Sequence, residues 1–325
     1  KMHTITHLAD YLDMFSKNLE SRGVKVHWAK DAQEFNEIVL GILKDHNVKK
    51  MVKSKSMLTE ECEMNPYLEQ HGIDVVETDL GERIIQLLGQ KPSHIVMPAI
   101  HLKREEVGKM FEEKGISKEI GNYDPTYLTR CARHHLRDQF MEAGAGMTGC
   151  NFGVAATGDC VVCTNEGNAD MTTSMPKLHI VAMGIEKLVP DYKSLAVFQR
   201  LLCRCGTGQP TTAFTSHFRQ ARPGAEMHVV LVDNGRSDIL ADKDHWQTLK
   251  CMRCGACMNT CPVYRRSGGY SYTYFIPGPI GVNLGMLKNP QKYSDNVSAC
   301  TLCLSCDNVC PSKVGPGSQI YVWRQ

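Results

Sequence analysis

The stretch "CMRCGACMNTCP", residues 251–262, packs four cysteines into eleven positions and stops on a proline. A second stretch, "CTLCLSCDNVCP", residues 300–311, repeats the spacing C-x2-C-x2-C-x3-C-P. Disulfide staples, tetrahedral zinc and iron–sulfur cubanes all draw on clustered cysteines. A secreted disulfide scaffold spreads its pairs, whereas eight of the fifteen cysteines here fall between residues 251 and 310 and nothing indicates export. Zinc sites built from four thiolates also use C-x2-C pairs, but zinc has no use for a third cysteine three residues on, nor for two copies of the run. Thiolates at i, i+3 and i+6 of a tight loop can wrap three corners of a cubane. The fourth cysteine, starting the next helix, then points away and must ligate something else.

In two-cluster ferredoxins that something is the other cluster. The spacing therefore assigns Cys251, Cys254, Cys257 and Cys310 to one [4Fe-4S] cluster, and Cys300, Cys303, Cys306 and Cys261 to a second, with Pro262 and Pro311 ending the two binding loops. The stretch 263–299 exceeds the link of a compact bacterial ferredoxin, and so resembles the helical ferredoxin module of respiratory dehydrogenases. Arg265 and Arg266 either offset the negative charge of a thiolate-bound cluster or are solvated loop residues. The tyrosines and arginines of "VYRRSGGYSYTYFIPGPIG", residues 263–281, are types favoured at interfaces, so a partner is expected to dock there.

Upstream the pattern changes. Helix-period stretches such as "ITHLADYLDMFSKNLESRG" and "AQEFNEIVLGILKDH" alternate with short apolar runs: "KVHWA", "KKMVKS", "IDVVET", "SHIVMPA", "LHIVAMG" and "MHVVLVD". Such alternation predicts an α/β domain with a mostly parallel sheet covered by helices, spanning residues 1–241. Residues 242–250 read as the linker that opens a helical two-cluster domain over 242–325. A net charge of +2 gives no reason to expect a nucleic-acid or membrane-surface partner, and no apolar run approaches the roughly 18 to 20 residues of a membrane span. The opening lysine and the close inside an amphipathic stretch, "QIYVWRQ", read as a chain truncated at both ends.

Gly144, Gly146 and Gly149 in "GAGMTG" match G-x-G-x-x-G, the dinucleotide fingerprint. That fingerprint needs a strand before it and a helix after it. Here a helical stretch precedes it and strand-like sequence comes after, so the glycines read as a helix-to-strand turn and no flavin or nicotinamide site is expected by motif.

The stretches "VKSKSMLTEEC", "ETDLGERIIQLLGQKPSHIVMPAIH", "GCNFGVAATGDCVVCTNEGNADMTTSMPKLHIVAMGIEKLVP" and "VVLVDNGRS" resemble the lactate-utilisation (LUD) domain family. With the two cysteine motifs after them, the resemblance is to the iron-sulfur members of that family and covers nearly the whole chain. It implies a cytoplasmic electron-transfer subunit of a multi-protein system oxidising L-lactate to pyruvate, working with a cysteine-rich sister subunit and a smaller LUD-domain sister. It also implies a fold like that of sugar-phosphate isomerases and CoA transferases. An alternative makes the LUD domain itself a catalytic or ligand-sensing unit, with clusters in a structural or redox-sensing role. Ala156 stands where relatives usually carry a glutamate, which weakens a catalytic role for that position.

Thr164, Asn165, Glu166 and Asn168 in "TNEGN" are the best pocket candidates, at a strand's carboxyl end, or else an Asx-rich turn satisfying its own backbone. Lys53 and Lys55 in "KSKS" precede a probable helix and suit an anion, unless they are merely solvated. His94, His101 and His179 read as hydrogen-bonded core residues. Cys160 and Cys163 lie three apart in a strand, facing opposite sides, and read as packing residues; Cys203 and Cys205 read as small apolar fillers at a helix end.

Overall fold

The computed structural model describes residues 1–325. Ten strands form in chain order: β1 Lys25–Ala29, β2 Lys50–Lys53, β3 Asp74–Glu77, β4 Ala145–Thr148, β5 Phe152–Val154, β6 Asp159–Thr164, β7 Leu178–Gly184, β8 Leu188–Val189, β9 Phe214–Phe218 and β10 Glu226–Val232. Six of them make a wholly parallel sheet in the order β1-β10-β7-β4-β2-β3. The other four make a smaller mixed sheet, β8-β5-β6-β9.

Both faces of the large sheet are covered, which is why its central strands are continuous apolar runs. Alternate side chains go to opposite layers. Ile180, Ala182, Val230 and Val232 pack with Phe35, Val39 and Leu43 of the helix Ala32–Asp45. Val181, Met183, Val229 and Leu231 pack with Leu8, Leu12, Phe15 and Leu19 of the helix Leu8–Glu20, on the side that also holds part of the small sheet. The chain itself marks several helix starts. The carboxylates of Asp31, Asp79 and Asp191 accept the backbone N–H three residues on, satisfying donors that a helix leaves orphaned.

Three expectations need correction. "SHIVMPA" forms no strand: His94 Nδ1 accepts the backbone N–H groups of Val96 and Met97, at 3.0 and 3.1 Å, which curls residues 94–97 into a turn. Residues 242–250 are not an open linker, because Trp246–Lys250 is a 3-10 helix whose buried Thr248 donates to Gln319 at 2.7 Å. Gly146 belongs to β4 itself, where a Cβ would lie 1.8 Å from the Thr172 carbonyl oxygen, so its role is close packing of backbone.

The last part of the chain is helical. Its centre is the helix Gly278–Lys288, buried from Gly278 to Met286, as expected of a helix that is apolar all round. Ile280 and Leu284 enter one core with Cys257, Cys306 and Cys310, while Val282 and Met286 enter another with Val297 and Ile320. No helix of the structure is long and apolar enough to cross a membrane.

Candidate metal centre

The two cysteine loops have the same backbone. In the first, Arg253 and Gly255 have positive φ values of 63° and 81°; in the second, Leu302 and Leu304 occupy the equivalent places at 54° and 57°. Each loop runs into a short helix, Ala256–Thr260 or Ser305–Val309, and each helix ends on its fourth cysteine, Cys261 or Cys310. Left-handed residues turn the loop sharply enough for backbone N–H groups to face sulfur. Arg253 donates to Cys251 Sγ and Leu302 to Cys300 Sγ, both at 3.4 Å, and Val314 donates to Cys310 Sγ at 3.3 Å. Beyond the fourth cysteines the two copies diverge: Cys261 opens the helix Pro262–Ser267, whereas Cys310 leads into a turn and not the expected helix.

Cys251, Cys254, Cys257 and Cys310 line one small cavity, walled by Ile95, Ile280 and Val314. Cys261 and Cys300 line another, with Tyr272 and Val282. Cys306 is buried and Cys303 exposed. The helix Gly278–Lys288 contributes to both cavities, through Ile280 to the first and Val282 to the second.

This donor set fits a cluster. Burial pushes the Cys254 thiol up to about 12, and Cys257 higher still, with Cys251 adding to both shifts as a like charge. Burial likewise raises Cys310 and Cys300, and takes Cys306 to about 12. Several thiolates gathered in an apolar enclosure repel one another, and a highly charged metal centre would offset that repulsion. Cys303 is the exception: the Ser305 backbone N–H and hydroxyl hold its thiol below the ordinary value.

The remaining candidates divide. Lys55, Thr164, Asn165, Glu166 and Asn168 line one pocket of about 380 Å³ at the carboxyl ends of β2, β4 and β7. Lys53 does not reach it. It points into the protein, 1% exposed, against Glu77 at 2.6 Å. Lys55 is held by the Val96 carbonyl at 3.0 Å and by Glu82 at 3.4 Å. Glu166 accepts the Leu80 N–H at 3.0 Å, and partial burial followed by neighbouring Asp79 pushes its carboxyl up to about 7. Asn165 bonds Gln209 and the Ala213 N–H, and Asn168 donates to Thr78.

Two residues of the same pocket went unread in the sequence: Lys187, just beyond β7, and Arg253, inside the first cysteine motif. Arg265 and Arg266 are exposed and form no ion pair. Much of the expected docking segment is taken up within the chain, where Tyr264 donates to the Ser93 carbonyl at 2.8 Å and Tyr270 to the Lys91 carbonyl at 2.7 Å. His94, His101 and His179 are all hydrogen-bonded, His179 to Thr148 at 2.9 Å, but only His94 and His179 are core residues: His101 is exposed. Cys160 is fully buried; Cys163 and Cys203 line the pocket, and Cys205 packs beside Cys254.

Residues 12–238 match the LUD domain and residues 247–314 a 4Fe-4S dicluster domain. The proteins named lactate utilization protein B in Macrococcus caseolyticus, Bacillus pumilus and Bacillus cytotoxicus are each 44% identical to this chain, over 97% of it and 67% of their own length. A DUF162 family protein from Deinococcus radiodurans, of known crystal structure, aligns with 69% of this chain and 98% of its own, at 12% identity and a TM-score of 0.39. By the domain match and the 44% identity, the chain belongs to the LUD-domain family, in the group of lactate utilization protein B, with a 4Fe-4S dicluster domain joined to it.

Proposed function

We propose that this chain is the iron–sulfur electron-transfer subunit of a cytoplasmic system that oxidises L-lactate to pyruvate, acting with a cysteine-rich sister protein and a smaller LUD-domain sister. The observation that carries the reading is the cavity in which Cys251, Cys254 and Cys257 of one motif meet Cys310 of the other. Cys251, Cys254, Cys257 and Cys310 would hold one [4Fe-4S] cluster, and Cys300, Cys303, Cys306 and Cys261 a second. Bound there, such clusters supply electron transfer one electron at a time.

The chain's own residues make the two sites unequal. Ile95, Ile280 and Val314 wall the first with apolar surface, Ile95 coming from the α/β domain. Cys303 opens the second toward the surface. Backbone N–H groups aimed at the sulfurs of Cys251, Cys300 and Cys310 offset negative charge there and so would stabilise the reduced, more negative state of a bound cluster. An inner and an outer site, lying on a shared helix, suit a relay between a partner that does the chemistry and a downstream acceptor. Removing two electrons from an α-hydroxy acid also needs a base for the hydroxyl proton and an acceptor for a hydride or two coupled electrons, and a fully thiolate-ligated iron set offers no open position for substrate.

A second reading has one observation in its favour. The pocket of about 380 Å³ reaches Cys254, so the LUD domain has room for a ligand of its own. One experiment separates the two. The anaerobically purified chain is expected to hold about eight iron and eight sulfide, as two cubanes require. Incubated alone with L-lactate and an artificial acceptor it should form no pyruvate, and do so only with both sister proteins present. Comparable rates in the two mixtures would move catalysis into this LUD domain.

A further inference from the structure

The pocket at the carboxyl ends of β2, β4 and β7 has an unequal inventory of partners. Its acids each accept one backbone N–H: Asp79 from Glu82 and Glu166 from Leu80, both at 3.0 Å. Two of its cations are less well partnered. Lys187 is 14% exposed and makes no hydrogen bond, and its one carboxylate neighbour, Glu186 at 3.9 Å, is engaged by Arg236 at 2.6 Å. Arg253 keeps a buried Nη1 without a partner, on a backbone whose φ of 63° only glycine adopts freely. Thr164 adds a buried hydroxyl that is likewise unpartnered. Arg253 also borders the neighbouring cavity that holds Glu61 and Glu186. Buried polar groups in native proteins are nearly always paired, so the unpartnered Arg253 Nη1 and Thr164 hydroxyl, with Lys187 on the same pocket wall, point to what the cavity receives. Together these are two cations and a hydroxyl, which is a receptor for an anion.

Size and lining narrow the class. About 380 Å³ is room for roughly a dozen waters at about 30 Å³ each, far more than one carboxylate group occupies. Met57, Ile95, Leu202 and Met252 supply apolar surface to the same space. Met252, Arg253 and Cys254 form one wall, so a molecule in the pocket touches the loop of the inner cysteine set. We propose that this pocket binds an organic anion with an apolar body, its carboxylate held between Lys187 and Arg253, and that its occupancy alters the surroundings of the cluster held by Cys254. The binding claim stands on the pocket alone; only its spectroscopic consequence rests on the cluster reading above.

Phenylpyruvate, a carboxylate carrying an aromatic ring, is the probe, and phenylacetone, the same ring and ketone without the carboxylate, is the control. Titration calorimetry on the anaerobically purified full chain should give one phenylpyruvate per chain, bound at least tenfold more tightly than phenylacetone. Lys187→Gln should weaken phenylpyruvate tenfold or more and leave phenylacetone unchanged. Arg253→Gln, with its iron content measured in parallel, should do the same. In the reduced protein, phenylpyruvate should shift the electron paramagnetic resonance of one cluster, and Lys187→Gln should abolish the shift. Equal affinity for the two probes, no saturable binding, or unaltered binding in both variants overturns the anion site. A chain without iron that still discriminates the probes would leave the site standing and sink the electron-transfer reading instead.

Discussion

His94 and Asn259 meet at 3.1 Å across the boundary between the α/β domain and the cysteine-bearing helices. His94 Nδ1 already accepts two backbone N–H groups, so its Nε2 carries the proton and donates to Asn259 Oδ1. Asn259 Nδ2 in turn donates to the Gly206 carbonyl at 2.9 Å. One amide, two residues from Cys257, is thus tied at both ends to the upstream domain. Gly206 is needed at that contact, because a Cβ there would meet the Cys254 carbonyl oxygen at 2.9 Å.

Asn259→Ala leaves the His94 N–H and the Gly206 carbonyl without partners, a loss of about 1–3 kcal/mol for each buried group left unsatisfied. Denaturant titration of the iron-replete variant should show lower stability, and a chelator should strip its iron faster than from the parent chain. Unchanged stability together with unchanged iron loss would mean that the two parts are held together elsewhere.

Cys310→Ser tests the crossed pairing. It should perturb the spectrum of the cluster served by Cys251, Cys254 and Cys257, because all four cysteines line one cavity. Resonance Raman and paramagnetic resonance that reported only the cluster of Cys300, Cys303 and Cys306 disturbed would refute the pairing.

Lys53→Met should cost about 3–5 kcal/mol, because it strands the Glu77 carboxylate in the interior. Changing both residues, Lys53→Met with Glu77→Leu, should recover most of that loss, which thermal or denaturant unfolding can measure. Probe binding that disappears in the double variant, with stability restored, would return Lys53 to the pocket.

Burial holds His179 neutral, taking its pKa from 6.5 down to about 3. A histidine whose folded pKa is depressed binds fewer protons folded than unfolded between those two values, so stability falls as pH drops through that window. The loss at pH 5 should be about 2 kcal/mol, from 1.36 kcal/mol per unit below 6.5. His179→Gln should flatten this part of the stability profile; an identical acid limb would assign it to other groups.

The cysteine motifs were legible because their spacing is local: a loop of seven residues states its own geometry. The parallel strands were legible because burial on both faces leaves continuous runs such as "LHIVAMG". Lys53 was not, since its partner is fixed by register, with Lys53 opposite Glu77 on the neighbouring strand, and register joins residues the sequence keeps apart. The turn at His94 was hidden by apolar neighbours that look like a strand. Lys187 and Arg253 belong to different domains, and only the folded chain brings them to one cavity. Arg253 alone carried a local hint, as a charged residue inside a cysteine loop.

Because Cys310 completes the enclosure begun by Cys251, the order of synthesis constrains the order of assembly. The first cysteine loop leaves the ribosome with three thiols and an open side, and it stays so until Cys310 has been made. The central helix Gly278–Lys288 must settle in between, since its Ile280 walls that same enclosure. Iron delivered early would meet a half-built nest and be shared with whatever fourth thiol came to hand. A nascent chain of this kind gains from a delay: metal for this site is best inserted after Cys310 has arrived.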